Sequence, residues 1–141
     1  MFSLSDIRGE AHPASYRRGK ELQETGGVFD FTYDMYLSKE LPMADVSAKV
    51  RGNDQEYYDV SATVDEEFGD VTEYRCNCEA SYNYGGMCKH CIAMLLHYLS
   101  QRSPMDILRV KQENGKTEKK EVVPKEALLH TTPSLKSLLN Q

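Results

Sequence analysis

Four residues, Cys76, Cys78, Cys88 and His90, restrict this 141-residue chain more than anything else in it. They form two pairs, each with one residue inside, separated by nine residues. A tetrahedral zinc site takes four N/S donors with Zn–S near ~2.3 Å and Zn–N near ~2.0 Å, so the donors must meet within about 4 Å of one another. On an extended strand residues i and i+2 share a face, so a strand end at Cys76 and Cys78 presents both sulfurs together. The second pair cannot do this from inside a helix, where i and i+2 point about 200° apart at 3.6 residues per turn. Cys88 is therefore expected just before a helix or at its cap, with His90 in the first turn. Tyr84-Gly85-Gly86 gives the chain freedom to swing into that helix start.

Three thiolates leave a bound Zn²⁺ at a net charge of about −1, which the positive end of a helix favours. Lys89, between the two ligands, adds compensation. All four positions are filled and none is left for water, so the expected cofactor is one structural Zn²⁺. Cys91 offers a competing reading. Cys88-x-x-Cys91 makes a four-cysteine site, whereas a core role for Cys91 fits its place at the head of the apolar Cys91/Leu95 stripe. A Cys88–His90 nucleophilic dyad has neither an evident third orienting group nor an oxyanion donor, so no catalytic residue is assigned and no enzyme is expected. His12, His97 and His130 read as solvent-facing or satisfied histidines.

The rest of the chain predicts an α+β fold: an antiparallel β meander packed with two helices, one of them starting at the zinc knuckle. A helix is expected from Ala14 to Gly26, capped by Ser15, with thin apolar content (Tyr16, Leu22) that lays it on the sheet. A strand follows at about Val28 to Leu37, with Phe29, Phe31, Tyr33 and Met35 on one face and Leu41-Pro42 breaking the run. Val46, Ala48 and Val50, then Tyr58, Val60, Ala62 and Val64, alternate with polar residues, and a third strand runs from Val71 toward Cys76. Cys88 to about Gln101 is the main, buried helix, ended by Ser103-Pro104. This gives a zinc-containing domain over 1–104, its motif at about 71–101, and a charged linker over 105–141. Near its end Thr132-Pro133-Ser134 looks like a helix start, and the chain stops inside that helix, as expected within a longer protein. Asn114-Gly115-Lys116-Thr117 imitates a phosphate loop, but Val110 stands where the first glycine belongs.

No run nears the ~18 apolar residues of a membrane helix, and Met1–Arg8 lacks a secretory signal pattern, so a cytoplasmic location with free thiols is expected. Residues 1–104 hold ten Lys/Arg and seventeen Asp/Glu, net −7, while 105–141 hold seven and five, net +2. An acidic body opposes broad attraction to a phosphate backbone.

Cys76-x-Cys78…Cys88-x-His90, with Lys89 inside and an apolar helix after it, resembles the SWIM zinc finger. Ser5-Asp6-Ile7-Arg8, Pro13-Ala14-Ser15-Tyr16-x-x-Gly19, Gly26-x-Val28 and Val50-x-Gly52…Tyr58-x-Val60 are similar to the N-terminal region of bacterial Swi/Snf-type helicase-like ATPases. The resemblance covers about residues 5–100 and implies zinc binding, contacts with proteins or DNA, and a motor domain downstream. The expected partner is a protein, the motor domain first, with no membrane and no small-molecule substrate. The alternative is a nucleic-acid module, in which Arg75 and Lys89, the helix near Arg17 and Arg18, and stacking by Tyr82 and Tyr84 would make the contacts.

Overall fold

The computed structural model describes residues 1–52, 56–78 and 87–113. Four strands, β1 (Val28–Ser38), β2 (Leu41–Arg51), β3 (Tyr57–Asp65) and β4 (Asp70–Cys76), form an antiparallel sheet in the order β1-β2-β3-β4. Among the described residues four helices, α1 (Leu4–Glu10), α2 (Pro13–Glu24), α3 (Lys89–Gln101) and α4 (Pro104–Gln112), accompany it. The architecture is the expected α+β meander, with α1 and α4 added to the two expected helices.

The period-2 pattern decides which face is the core. Val46, Ala48 and Val50 of β2 pair with Ala62, Val60 and Tyr58 of β3, and this face is covered by α3. Ile92, Ala93, Met94, Leu95 and Tyr98 of α3 are fully buried there. Ser47, Lys49, Ser61 and Arg75 lie on the opposite face, which no helix covers among the described residues.

Two expectations about β1 and β2 are corrected. A bulge between Phe29 and Thr32, with Asp30 at φ 51°, shifts the pairing register. One extra residue reverses the facing of everything before it. Phe29 therefore opposes Lys49 and stacks edge-on against Tyr57, centroids 4.9 Å apart, while Phe31 and Tyr33 stay on the core side. Leu41-Pro42 does not break the strand but begins β2. The chain reverses at Lys39-Glu40, both at positive φ, the conformation of a two-residue hairpin turn matched to strand twist. Pro42, at the strand's beginning, lacks a donor but its carbonyl still accepts from Glu66 N at 2.9 Å.

The first long helix is also placed differently. It begins at Pro13 and its cap is His12, whose Nδ1 accepts from Ala14 N at 3.1 Å, not Ser15. It packs chiefly on α3 and not on the sheet. Gly19 explains how: a Cβ there would stand 2.6 Å from Ile92 Cγ2 and 2.8 Å from the Lys89 carbonyl oxygen. The two helices cross with backbone nearly touching side chain. Gly19→Ala is expected to destabilise the fold by about 1–2 kcal/mol in denaturant unfolding, the overpacking cost exceeding the ~1 kcal/mol gain in helix propensity. A variant more stable than the parent would show that the crossing yields easily.

Residues 105–112, expected to begin the charged linker, instead lie within α4. Ser103 caps it with a capping box to Asp106, Ile107 is buried, and Tyr33 Oη donates to Asp106 Oδ2 at 2.9 Å. The phosphate-loop decoy, the helix start at Thr132 and His130 lie outside the described residues.

Candidate metal centre

Two local chain features bring the donors together. Cys76 ends β4 with its side chain on the core face, opposite Val60, and Cys78 follows two residues later. Cys88 is the N-cap of α3, at φ −79° and ψ 167°, and His90 is the helix's second residue. The extended cap conformation is what lets a residue two positions before His90 share its direction. All four residues are buried, and their donor atoms lie within 4.8 Å of one another. His90 Nδ1 is 3.7 Å from Cys76 Sγ and 3.8 Å from Cys88 Sγ. A tetrahedron with the usual Zn–S and Zn–N bond lengths has edges of about 3.6–3.8 Å, so these spacings are already those of a bound ion.

The electrostatics point the same way. Hydrogen bonding from Cys76, then from Cys91, holds the Cys88 thiol far below its ordinary range. The hydrogen bond to Cys88 leads the causes that hold Cys76 above it, and the contacts with Cys76 and Cys88 push Cys91 up as well. Sulfurs packed this closely cannot all ionise at little cost, because each thiolate disfavours the next. A divalent ion removes that conflict by letting the ligand thiols ionise together. His90 turns Nδ1 toward the sulfurs, Tyr58 covers its ring at a centroid distance of 4.6 Å, and Nε2 is buried without a hydrogen-bond partner among the described residues. The cluster is in position to bind one zinc ion.

Cys91 stands outside the four-donor group. It is buried on α3, 3.8 Å from Cys88 Sγ, and its thiol donates to the Arg75 carbonyl oxygen at 3.7 Å. The core reading of Cys91 and the ligand reading of His90 match this geometry.

The four basic residues singled out in the sequence do not share a face. Arg75 is exposed on the uncovered side of the sheet and pairs with Glu73 at 3.0 Å. It borders an open groove of about 630 Å³ with Ser47, Ser61, Asp59 and Asn77. Arg17 and Arg18 are exposed on α2, behind α3, and half-buried Lys89 sits at the α2–α3 crossing. Tyr82, Tyr84 and the Gly85-Gly86 hinge lie outside the described residues. His97, half-buried, packs edge-on against Phe31 at 4.6 Å, and burial lowers its pKa.

A second polar centre was missed from the sequence. Glu66, 2% exposed, accepts from Phe2 N at 2.9 Å, from Tyr98 Oη and from Arg102 Nε at 2.8 Å. Arg102 also donates to the Phe2 carbonyl. Burial first, and then the Glu66 carboxylate, hold the Tyr98 hydroxyl protonated well above its ordinary range.

No helix among the described residues is long and apolar enough to cross a membrane. Comparison with curated proteins and with solved structures gives no match. The family model of the SWIM zinc finger matches residues 58–99, a span that opens on the Tyr58 covering His90, takes in all four donors and closes on α3.

Proposed function

We propose that this chain is a zinc-ordered interaction module without chemistry of its own, the regulatory N-terminal part of a Swi/Snf-type helicase-like ATPase, and that it contacts protein. The observation that carries the reading is the closed, buried donor set. Cys76, Cys78, Cys88 and His90 offer four buried donors within 4.8 Å of one another, enough to complete a tetrahedral zinc and leave it no position for substrate or water. The metal then serves the fold, and what remains to offer a partner is surface. The SWIM match over residues 58–99 supports the zinc module. The N-terminal motifs around Ser5–Arg8 and Pro13–Gly19 support the ATPase setting by resemblance. The test is association of the zinc-loaded chain with a Swi/Snf-type motor domain supplied in trans, compared with the His90→Ala variant. Saturable binding lost in the variant supports the reading, and no binding by the loaded chain contradicts the motor as its partner.

A nucleic-acid role is the second reading, because Arg75 and Lys89 flank the metal ligands in sequence. Against it stand the net −7 of residues 1–104, the Arg75–Glu73 pair and the separation of Arg75 from Arg17 and Arg18 by the sheet. Titration with short single- and double-stranded DNA at two salt concentrations is expected to show nothing tighter than the ~10⁻⁴ to 10⁻⁶ M of non-specific association. Tighter binding that survives the higher salt and disappears with Arg75→Ala or Lys89→Ala would favour the nucleic-acid reading.

A further inference from the structure

Cys91 is a fourth cysteine sulfur placed beside a site that needs only three. Its Sγ is 3.8 Å from that of Cys88, and the two residues occupy the N-cap and third position of the same helix. Across one helical turn, Cα atoms three residues apart are about 5 Å apart, inside the ~4.4–6.8 Å that a disulfide requires. Linking these two sulfurs needs a side-chain rotation and no movement of one element against another. Cys76 and Cys78 do not share a regular element in this way: β4 ends at Cys76, and Cys78 stands in the bend that follows. Within this pair Cys88 is 6% exposed and Cys91 1%, so a small oxidant meets Cys88 before Cys91.

We propose that Cys88 and Cys91 form a redox couple in which hydrogen peroxide joins them as a disulfide and thereby releases the zinc. The inference rests on the zinc site being loaded through Cys88. The Cys88 thiolate attacks one peroxide oxygen, the O–O bond breaks, and hydroxide leaves and is protonated by solvent. Cys91 then attacks the resulting sulfenic sulfur, the S–O bond breaks, and the second oxygen departs as water with the Cys91 proton. Two electrons pass from the two sulfurs to one peroxide. A bound zinc would be left with only Cys76, Cys78 and His90 as donors, and Cys88 could not return to it without a reductant.

The test uses the full chain loaded with zinc and treated with one equivalent of hydrogen peroxide. Zinc release is followed with a chromogenic chelator, and thiols are mapped by differential alkylation and peptide mass spectrometry. The expected result is one zinc released per Cys88–Cys91 linkage, with Cys76 and Cys78 still alkylatable and the metal rebound after dithiothreitol and fresh zinc. Cys91→Ala, expected to keep its zinc, should instead yield a Cys88 sulfenic acid that dimedone traps. A first linkage through Cys76 or Cys78, zinc lost while Cys91 stays a free thiol, or a loaded site that peroxide leaves intact overturns the proposal. Zinc content is measured before oxidation, so a chain that never held metal refutes the zinc reading alone. The same mapping on that chain still decides the pairing.

Discussion

Stripping the zinc will open the C-terminal end of β4 and the first turn of α3 to amide exchange while β2 and β3 keep much of their protection. Structural zinc binds finger peptides with an apparent ~10–16 kcal/mol, and such peptides unfold outright without it because they have no other core. This chain has one. Val46, Val50, Val60 and Val64 are at most 2% exposed, and Ile92 to Leu95 are fully buried beneath them. What depends on the metal is the junction: Cys88 is the N-cap of α3 but its side chain makes no capping bond to a backbone amide, so coordination is what fixes that end. Exchange with and without a chelator should show loss confined to residues around 75–78 and 87–92. Uniform loss across residues 44–64 would show that the zinc holds the whole sheet.

Glu66→Ala and Arg102→Ala are each expected to cost about 3–5 kcal/mol, the loss seen when one partner of a buried ion pair is removed. Both side chains are almost wholly enclosed, at 0% and 6% exposure. Removing the glutamate strands Arg102 and leaves Phe2 N and Tyr98 Oη without their acceptor. Removing the arginine leaves a buried carboxylate facing only neutral donors. For a chain of this size that corresponds to a fall in melting temperature of about 10–15 °C. Glu66→Gln keeps the shape and an acceptor, so it should lose less than Glu66→Ala. Thermal unfolding of the three variants measures the ordering. A change within ~0.5 kcal/mol for Glu66→Ala, the range of ordinary surface substitutions, would mean that this centre is not the clasp between the N-terminal segment and α3.

The centre strokes of the fold were written in local patterns. Val46 to Val64 alternate strictly because one face of β2 and β3 is covered and the other is not, and that alternation survives any detail of the turns. The donor set was legible for a related reason: two Cys-x-Cys/His pairs satisfy one coordination geometry, and few other arrangements of those residues do. What could not be read was whatever depends on distant partners. Glu66, in a turn flanked by Asp65 and Glu67, looks like a solvated charge. Its partners come from Phe2, Tyr98 and Arg102, which are 64, 32 and 36 residues away in sequence.

Phe29 was misplaced because the bulge at Asp30 needs only one non-glycine residue at positive φ, and aspartate tolerates that conformation without announcing it. Lys39-Glu40 hides its hairpin in the same way, having neither the glycine nor the asparagine that usually marks such a turn. For α4 the signal was present. Ser103-Pro104 with Asp106 is a capping box followed by a helix-starting proline, so the residues that end α3 also begin the next helix. The same sequence was legible as a stop and overlooked as a start.

The zinc centre is tested most directly by metal analysis of the purified chain beside its His90→Ala and Cys91→Ala variants. His90 Nδ1 faces the sulfurs at coordination spacing, whereas Cys91 is engaged with the Arg75 carbonyl and lies outside the donor group. The account predicts one zinc per parent chain, one per Cys91→Ala chain and little or none per His90→Ala chain. Zinc retained by His90→Ala and lost from Cys91→Ala would contradict it, and would make the site a four-cysteine centre.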